Sequence, residues 1–296
     1  MTNKFSKAFF TAFILAATLS ITSMLIVGCK DNSVEPQATQ EYDSEAAADM
    51  QASSLGTESG GAGVSFGDVM SLTTSGTIPG VMFDSKSLSP MSRDTSYNPA
   101  NGQHTVVITR TGTSGKFSYN TLITYVYTFF DASGNFTKDF VKGTTDKITV
   151  AVSKLKNKEY GDRLDVEDTA SGSWTISSII SGVPILNGTY NRNGVSTFHT
   201  ASNGDRTFTH TMTMNFIGDT LIEKNDGSLK HSFLKGPATS HFSATTSKGT
   251  NIVRDTKITF NGDGTATLEI TRTSGDGSVD TYTIDTKVGL WLRKGR

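Results

Sequence analysis

The sequence predicts an all-β fold: an antiparallel meander of about ten to twelve strands forming a sandwich or a (half-)barrel, set behind a flexible N-terminal tether. Three observations lead there. From about residue 103 onward, apolar residues recur at alternate positions, the period of a strand with one buried face. Clusters of Gly, Asn and Asp, drawn from 29 glycines in 296 residues, separate those runs at hairpin spacing. No stretch shows the strand–helix alternation of an α/β enzyme. The organisation implied is an export signal over 1–28, an acidic flexible tether over 29–63, an irregular segment packing on the body over 64–102, and an antiparallel β domain over 103–296.

At the N-terminus, Lys4 and Lys7 precede an apolar run from Ala8 to Val27 that ends in Ile26-Val27-Gly28-Cys29. A basic start followed by an apolar run is the layout of an export signal, although about 20 apolar residues are also long enough to span a bilayer. The last four residues resemble the lipobox of bacterial lipoproteins. That resemblance implies cleavage between Gly28 and Cys29, a diacylglyceryl group on the Cys29 sulfur, and a further acyl chain such as palmitate on its new amino terminus. Each buried methylene contributes about 0.8 kcal/mol, and one chain alone holds only marginally, so two or three chains make a durable anchor. Lys30, rather than Asp, after the cysteine is what the resemblance associates with passage to the outer membrane of a Gram-negative bacterium.

From Lys30 to about Gly63 the chain turns to Ala, Ser, Gln, Glu and Gly, and Asp31, Glu35, Glu41, Asp43, Glu45, Asp49 and Glu58 make it strongly acidic. Low hydrophobicity with charge of one sign favours a solvated linker. Glu41 to Leu55 contains good helix formers, but an isolated helix of that length is marginal in water. As a flexible chain, about 30 residues reach roughly 30 Å. Residues 64–100 scatter Phe66, Val69, Met70, Ile78, Val81, Met82 and Phe83 among Gly, Pro and Ser, which reads as an irregular segment with one helical turn near Asp68.

The body then alternates. Phe117, Tyr119, Ile123, Tyr125, Tyr127 and Phe129 share one face, with Leu122, Val126 and Phe130 on the other, the pattern of a largely buried strand. Phe208, His210, Met212, Met214 and Phe216 alternate with Thr207, Thr209, Thr211, Thr213 and Asn215, a half-buried strand with a threonine outer face. Val106/Ile108, Ile148/Val150/Val152, Trp174/Ile176, Ile258/Phe260, Leu268/Ile270 and Tyr282/Ile284 repeat the pattern. Turns are predicted at Asp131–Asn135, Asn191–Gly194, Ser202–Asp205, Asn225–Gly227, Asn261–Gly264 and Ser274–Gly277. A membrane-spanning barrel shares the alternation, but outward Thr, Asn and Lys do not belong in lipid.

Composition excludes further classes. With 27 Lys+Arg against 28 Asp+Glu and no Lys/Arg-rich block, nucleic acid is not an expected partner. One Cys supplies neither an internal disulfide nor a multi-Cys metal site, and no cofactor is expected.

Candidate chemistry is sparse. Gly63-Val64-Ser65-Phe66-Gly67 matches the nucleophile-elbow pattern by letter, but the elbow needs a strand-to-helix turn, and these residues follow linker. His104, His199, His210, His231 and His241 form no zinc spacing. His210, with Met212 and Met214, lies on an apolar face and is the ligand-pocket candidate. Asp162, Asp165, Glu167 and Asp168 cluster in what reads as a loop, offering the hard oxygen ligands calcium takes, without EF-hand spacing. Lys154, Lys156 and Lys158 form a short basic stripe suited to a solvated face or to anionic head groups or glycan.

The expected function is therefore that of a membrane-anchored lipoprotein of the cell envelope. Its β domain binds an envelope protein or glycan, or serves structurally, and has no catalytic role. The alternatives are a lipocalin-like or half-barrel carrier of a lipid or other apolar ligand, and a hydrolase built on Ser65 and His210.

Overall fold

The computed structural model describes residues 37–57, 59–75, 90–114, 117–199, 204–226, 229–272, 277–287 and 289–292. Gly28, Cys29 and the whole export signal lie outside them, as do the tips of the turns predicted at 202–203, 227 and 274–276.

Thirteen strands form one antiparallel sheet: β1 (Pro90–Asn98), β2 (Gln103–Ser114), β3 (Phe117–Asp131), β4 (Phe136–Thr137), β5 (Thr145–Gly161), β6 (Leu164–Ser177), β7 (Ile185–Phe198), β8 (Arg206–Asp226), β9 (Leu229–Thr246), β10 (Asn251–Asn261), β11 (Thr265–Arg272), β12 (Val279–Asp285) and β13 (Leu290–Leu292). The strands pair in chain order from β1 to β13, except that β4 is a short hairpin on β3. The all-β meander is thus as predicted, in a single sheet rather than a two-sheet sandwich.

Alternation places the core. Val106, Ile108, Tyr125, Tyr127, Val150, Trp174, Tyr190, Phe208, Met212, Met214, Phe242, Ile258, Leu268 and Ile284 are all buried on one face. Thr207, Thr209 and Thr211 are exposed on the other.

Two helices occupy the inner side: α1 (Gln37–Leu55) and α2 (Ala62–Ser75). Between Asp43 and Leu55 every residue except Glu45 is buried, so this part of α1 is enclosed on all sides. Its partners come from β5, β7, β8, β10 and the β12–β13 turn. One sheet can touch a helix from all those strands only by curling around it. In α2, Phe66 packs on Trp174 at 4.8 Å and edge-on to Phe216 at 5.0 Å, a favoured aromatic arrangement.

Three expectations are corrected here. The segment read as a solvated tether over 29–63 is helical from Gln37 and buried from Asp43, because the sheet supplies cationic partners for its carboxylates. The irregular segment over 64–102 holds all but the first two residues of helix α2 (Ala62–Ser75) and the first strand, so the β domain begins at Pro90 rather than 103. The turn predicted at Asn191–Gly194 is mid-strand in β7. Gly194 serves close approach there: a Cβ would lie 2.3 Å from the Glu167 carbonyl oxygen and 2.5 Å from the Asp168 Cα.

Candidate functional site

The larger grouping of reactive side chains among the described residues is the polar lining where the sheet meets α1. Its geometry follows from register. Lys154 pairs with Ala170, Ala170 with Arg192, Arg192 with Met212, Met212 with Phe242, and Phe242 with Arg254. One cross-strand row of the inner face therefore carries three buried cations. The neighbouring row runs Asn157, Asp168, Gly194, His210 and Ala244. With no side chain on Gly194, Asp168 and His210 approach across it to 3.6 Å.

The helical segment lies along this lining. Asp43 accepts from Arg206 at 2.8 Å and is 3.8 Å from Arg254, while Ser44 accepts from Arg254 at 3.2 Å. Asp49 accepts from Arg163 at 2.9 Å. Ser54 accepts from Arg192 at 2.9 Å, and Ser53 donates to Glu159. Past the helix, the Gly60 and Gly61 carbonyls accept from Lys154 at 2.6 and 2.7 Å. Gly61 has no room for a side chain, since a Cβ would sit 2.4 Å from the Ser53 carbonyl oxygen.

Arg192 is the hub. It donates to Asp168 at 2.5 Å and to Glu159 at 3.1 Å with its own side chain fully buried. Burial alone would raise the Asp168 carboxyl, but the Arg192 guanidinium, with the nearby His210 ring and a hydrogen bond from Asn157, holds it down at about 2. Burial lowers the Lys154 ammonium to about 7, against the opposing pull of Glu159. A second cluster holds α2. Asp68 accepts from Arg110 at 2.8 Å and from the Tyr125 hydroxyl at 2.6 Å, all buried. Burial and the Asp68 charge push the Tyr125 hydroxyl well above its ordinary value.

The sequence-predicted candidates divide between these clusters and the surface. Ser65 lies inside α2, not at an elbow, is fully buried, and its hydroxyl lies 3.2 Å from the Tyr125 oxygen, whose own proton goes to Asp68. His210 shares the Arg192 cluster, so the two proposed catalytic residues contact different networks. Met212 and Met214 are buried, and the Met212 sulfur faces the Ser54 hydroxyl at 3.8 Å. The face carrying His210, Met212 and Met214 is therefore covered by α1.

The calcium grouping does not converge. Residues from Leu164 on form strand β6, not a loop, and alternation sends neighbouring carboxylates to opposite faces. Asp168 points inward to Arg192, whereas Glu167 faces solvent and meets Lys158 at 2.9 Å. Asp165 accepts from the Gly161 amide and lies 3.2 Å from His199, and Asp162 is in the β5–β6 turn. Among the described residues no group of three His, Cys, Asp or Glu side chains is placed to hold a metal. The basic stripe divides likewise: Lys154 is buried and Lys158 is outside, separated by a bulge between Lys154 and Asn157.

Arg110, Asn157, Glu159, Arg192 and Arg254 were not singled out from sequence. The signal was present: Arg110 continues the phase of Val106 and Ile108, Lys154 that of Val150 and Val152, and Arg254 that of Ile252 and Ile258. A charge in phase with an apolar alternation is an inward charge that must find a partner.

The chain matches no protein-family model, no curated protein and no solved structure.

Proposed function

We propose that the protein is a lipid-anchored lipoprotein of the bacterial envelope, held in the outer membrane through Cys29, whose β domain binds another envelope component or serves structurally rather than catalysing a reaction. The anchor rests on Ile26-Val27-Gly28-Cys29. The observation that carries the non-catalytic reading is the filled interior: α1 occupies the curl that a substrate or apolar cargo would need, and its Ser, Asp and backbone groups take up the inward cations. A carrier would require α1 to leave that position and expose several buried charges, each costly without a partner.

Purification of the acylated protein from envelope extracts, followed by native mass spectrometry, tests both parts. A stoichiometric protein or glycan partner and a Cys29→Ala variant lacking the acyl mass are expected. Recovery with bound lipid in the β domain would favour the carrier, and an unmodified Cys29 would remove the anchor.

A further inference from the structure

Resting on that anchor, we infer that the domain sits on the bilayer in one orientation, with the rim formed by the β7–β8 and β9–β10 turns facing the lipid and the rim bearing the β3–β4 and β6–β7 turns facing away. The argument is one of covalent reach. Antiparallel pairing in chain order puts alternate turns on opposite rims. Asp43, near the start of α1, is bound by Arg206, the first residue of β8, and lies beside Arg254, near the start of β10. The other end of α1 reaches the opposite rim, where the Thr57 amide donates to the Thr286 carbonyl at 3.1 Å and a Cβ on Gly56 would meet the Gly289 Cα. Gln37 begins the helix six residues before Asp43, so the chain enters from the β7–β8 and β9–β10 side.

The segment between the acylated residue and that helix runs from Cys29 to Pro36. Even fully extended, such a length spans at most roughly 26–29 Å. The 19-residue α1 is itself about 28 Å long. The linker is thus no longer than α1 itself, and bringing the far rim to the membrane would need it fully extended along the outside of the sheet, whereas the near rim reaches the lipid with the linker in any conformation. The exposed Phe136, Val141, Ile180 and Val183 are on that far rim and are directed away from the anchoring bilayer.

The acylated thiol leaves any introduced cysteine as the single labelling site. Full-length lipidated protein carrying Ser247→Cys in the β9–β10 turn, or Ser133→Cys in the β3–β4 turn, is labelled with a donor dye. Each is reconstituted into phosphatidylcholine–phosphatidylglycerol vesicles holding acceptor-labelled lipid. Energy transfer at least twofold greater from position 247 than from position 133 is expected. Inserting about 30 Gly/Ser residues between Ser33 and Val34 should abolish most of that difference, because such a linker reaches roughly 30 Å in any direction. Equal or reversed transfer in vesicle-bound protein would overturn the orientation and leave the anchor standing. Protein that fails to float with vesicles would overturn the anchor and the orientation with it.

Discussion

Helix α1 and strand β8 are both buried, and they are buried for different reasons. In β8, Phe208, Met212, Met214 and Phe216 leave water because they are apolar, while the intervening threonines stay in it. In α1, the buried residues include Asp43, Ser44, Asp49, Gln51, Ser53 and Ser54. Alongside them Ala46, Ala47, Ala48, Met50, Ala52 and Leu55 are buried as well, but Asp and Ser side chains are ordinarily solvated, and these are inside because cations on the sheet meet them. Apolar burial needs no particular partner, whereas polar burial needs a specific one for each group. The strand tolerates repacking, and the helix depends on registry.

The most disruptive way to probe the contrast is Arg192→Ala. Removing the hub strands Asp168 and Glu159 in the interior, so stability should fall by about 3–5 kcal/mol, read from the urea midpoint. Ile258→Ala removes apolar volume from the sheet alone and should cost about 2–4 kcal/mol. If Arg192→Ala costs less than Ile258→Ala, the charged lining is not what holds α1.

A smaller effect of opposite sign is expected at Asp219. It is buried beside the β8 bulge, accepts from the Ile217 amide, and burial raises its carboxyl to about 7. Between pH 4 and 7 the folded state keeps a proton there that the unfolded chain has released, so stability falls as pH rises through that window. Asp219→Asn removes the titration and should stabilise by about 1–3 kcal/mol at pH 8, with no gain at pH 4. Thermal melts of both proteins across that range give the comparison directly. The smallest effect belongs to the outer face: Glu167→Gln breaks the exposed pair with Lys158 and should leave the urea midpoint almost unchanged, any difference vanishing in 1 M salt.

Much of the fold was legible in single residues. Val106, Ile148, Trp174, Ile258, Leu268 and Tyr282 all lie on the face their alternation assigned. The turn at Asp131–Asn135 closes as read, with the Gly134 backbone at φ 83° and Asn135 bonded to the Asp131 carboxylate. Asn191–Gly194 was misread because its turn-type composition serves another purpose, admitting the Asp168–His210 approach across Gly194. The site was less legible, because which carboxylate meets which cation depends on residues more than 100 positions apart, as with Asp43 and Arg206 or Asp49 and Arg163.

The charge distribution shows the same division. Local sequence determined that the N-terminal segment is acidic, that the body alternates with period two, and that a lipobox-like cysteine precedes them, since each is a property of neighbours along the chain. Only the tertiary structure decided that the acidic segment belongs inside. Low hydrophobicity alone predicts a solvated chain, and burial becomes favourable only when the curl of the sheet places Arg163, Arg206 and Arg254 against its carboxylates and Lys154 and Arg192 against its carbonyls and serines.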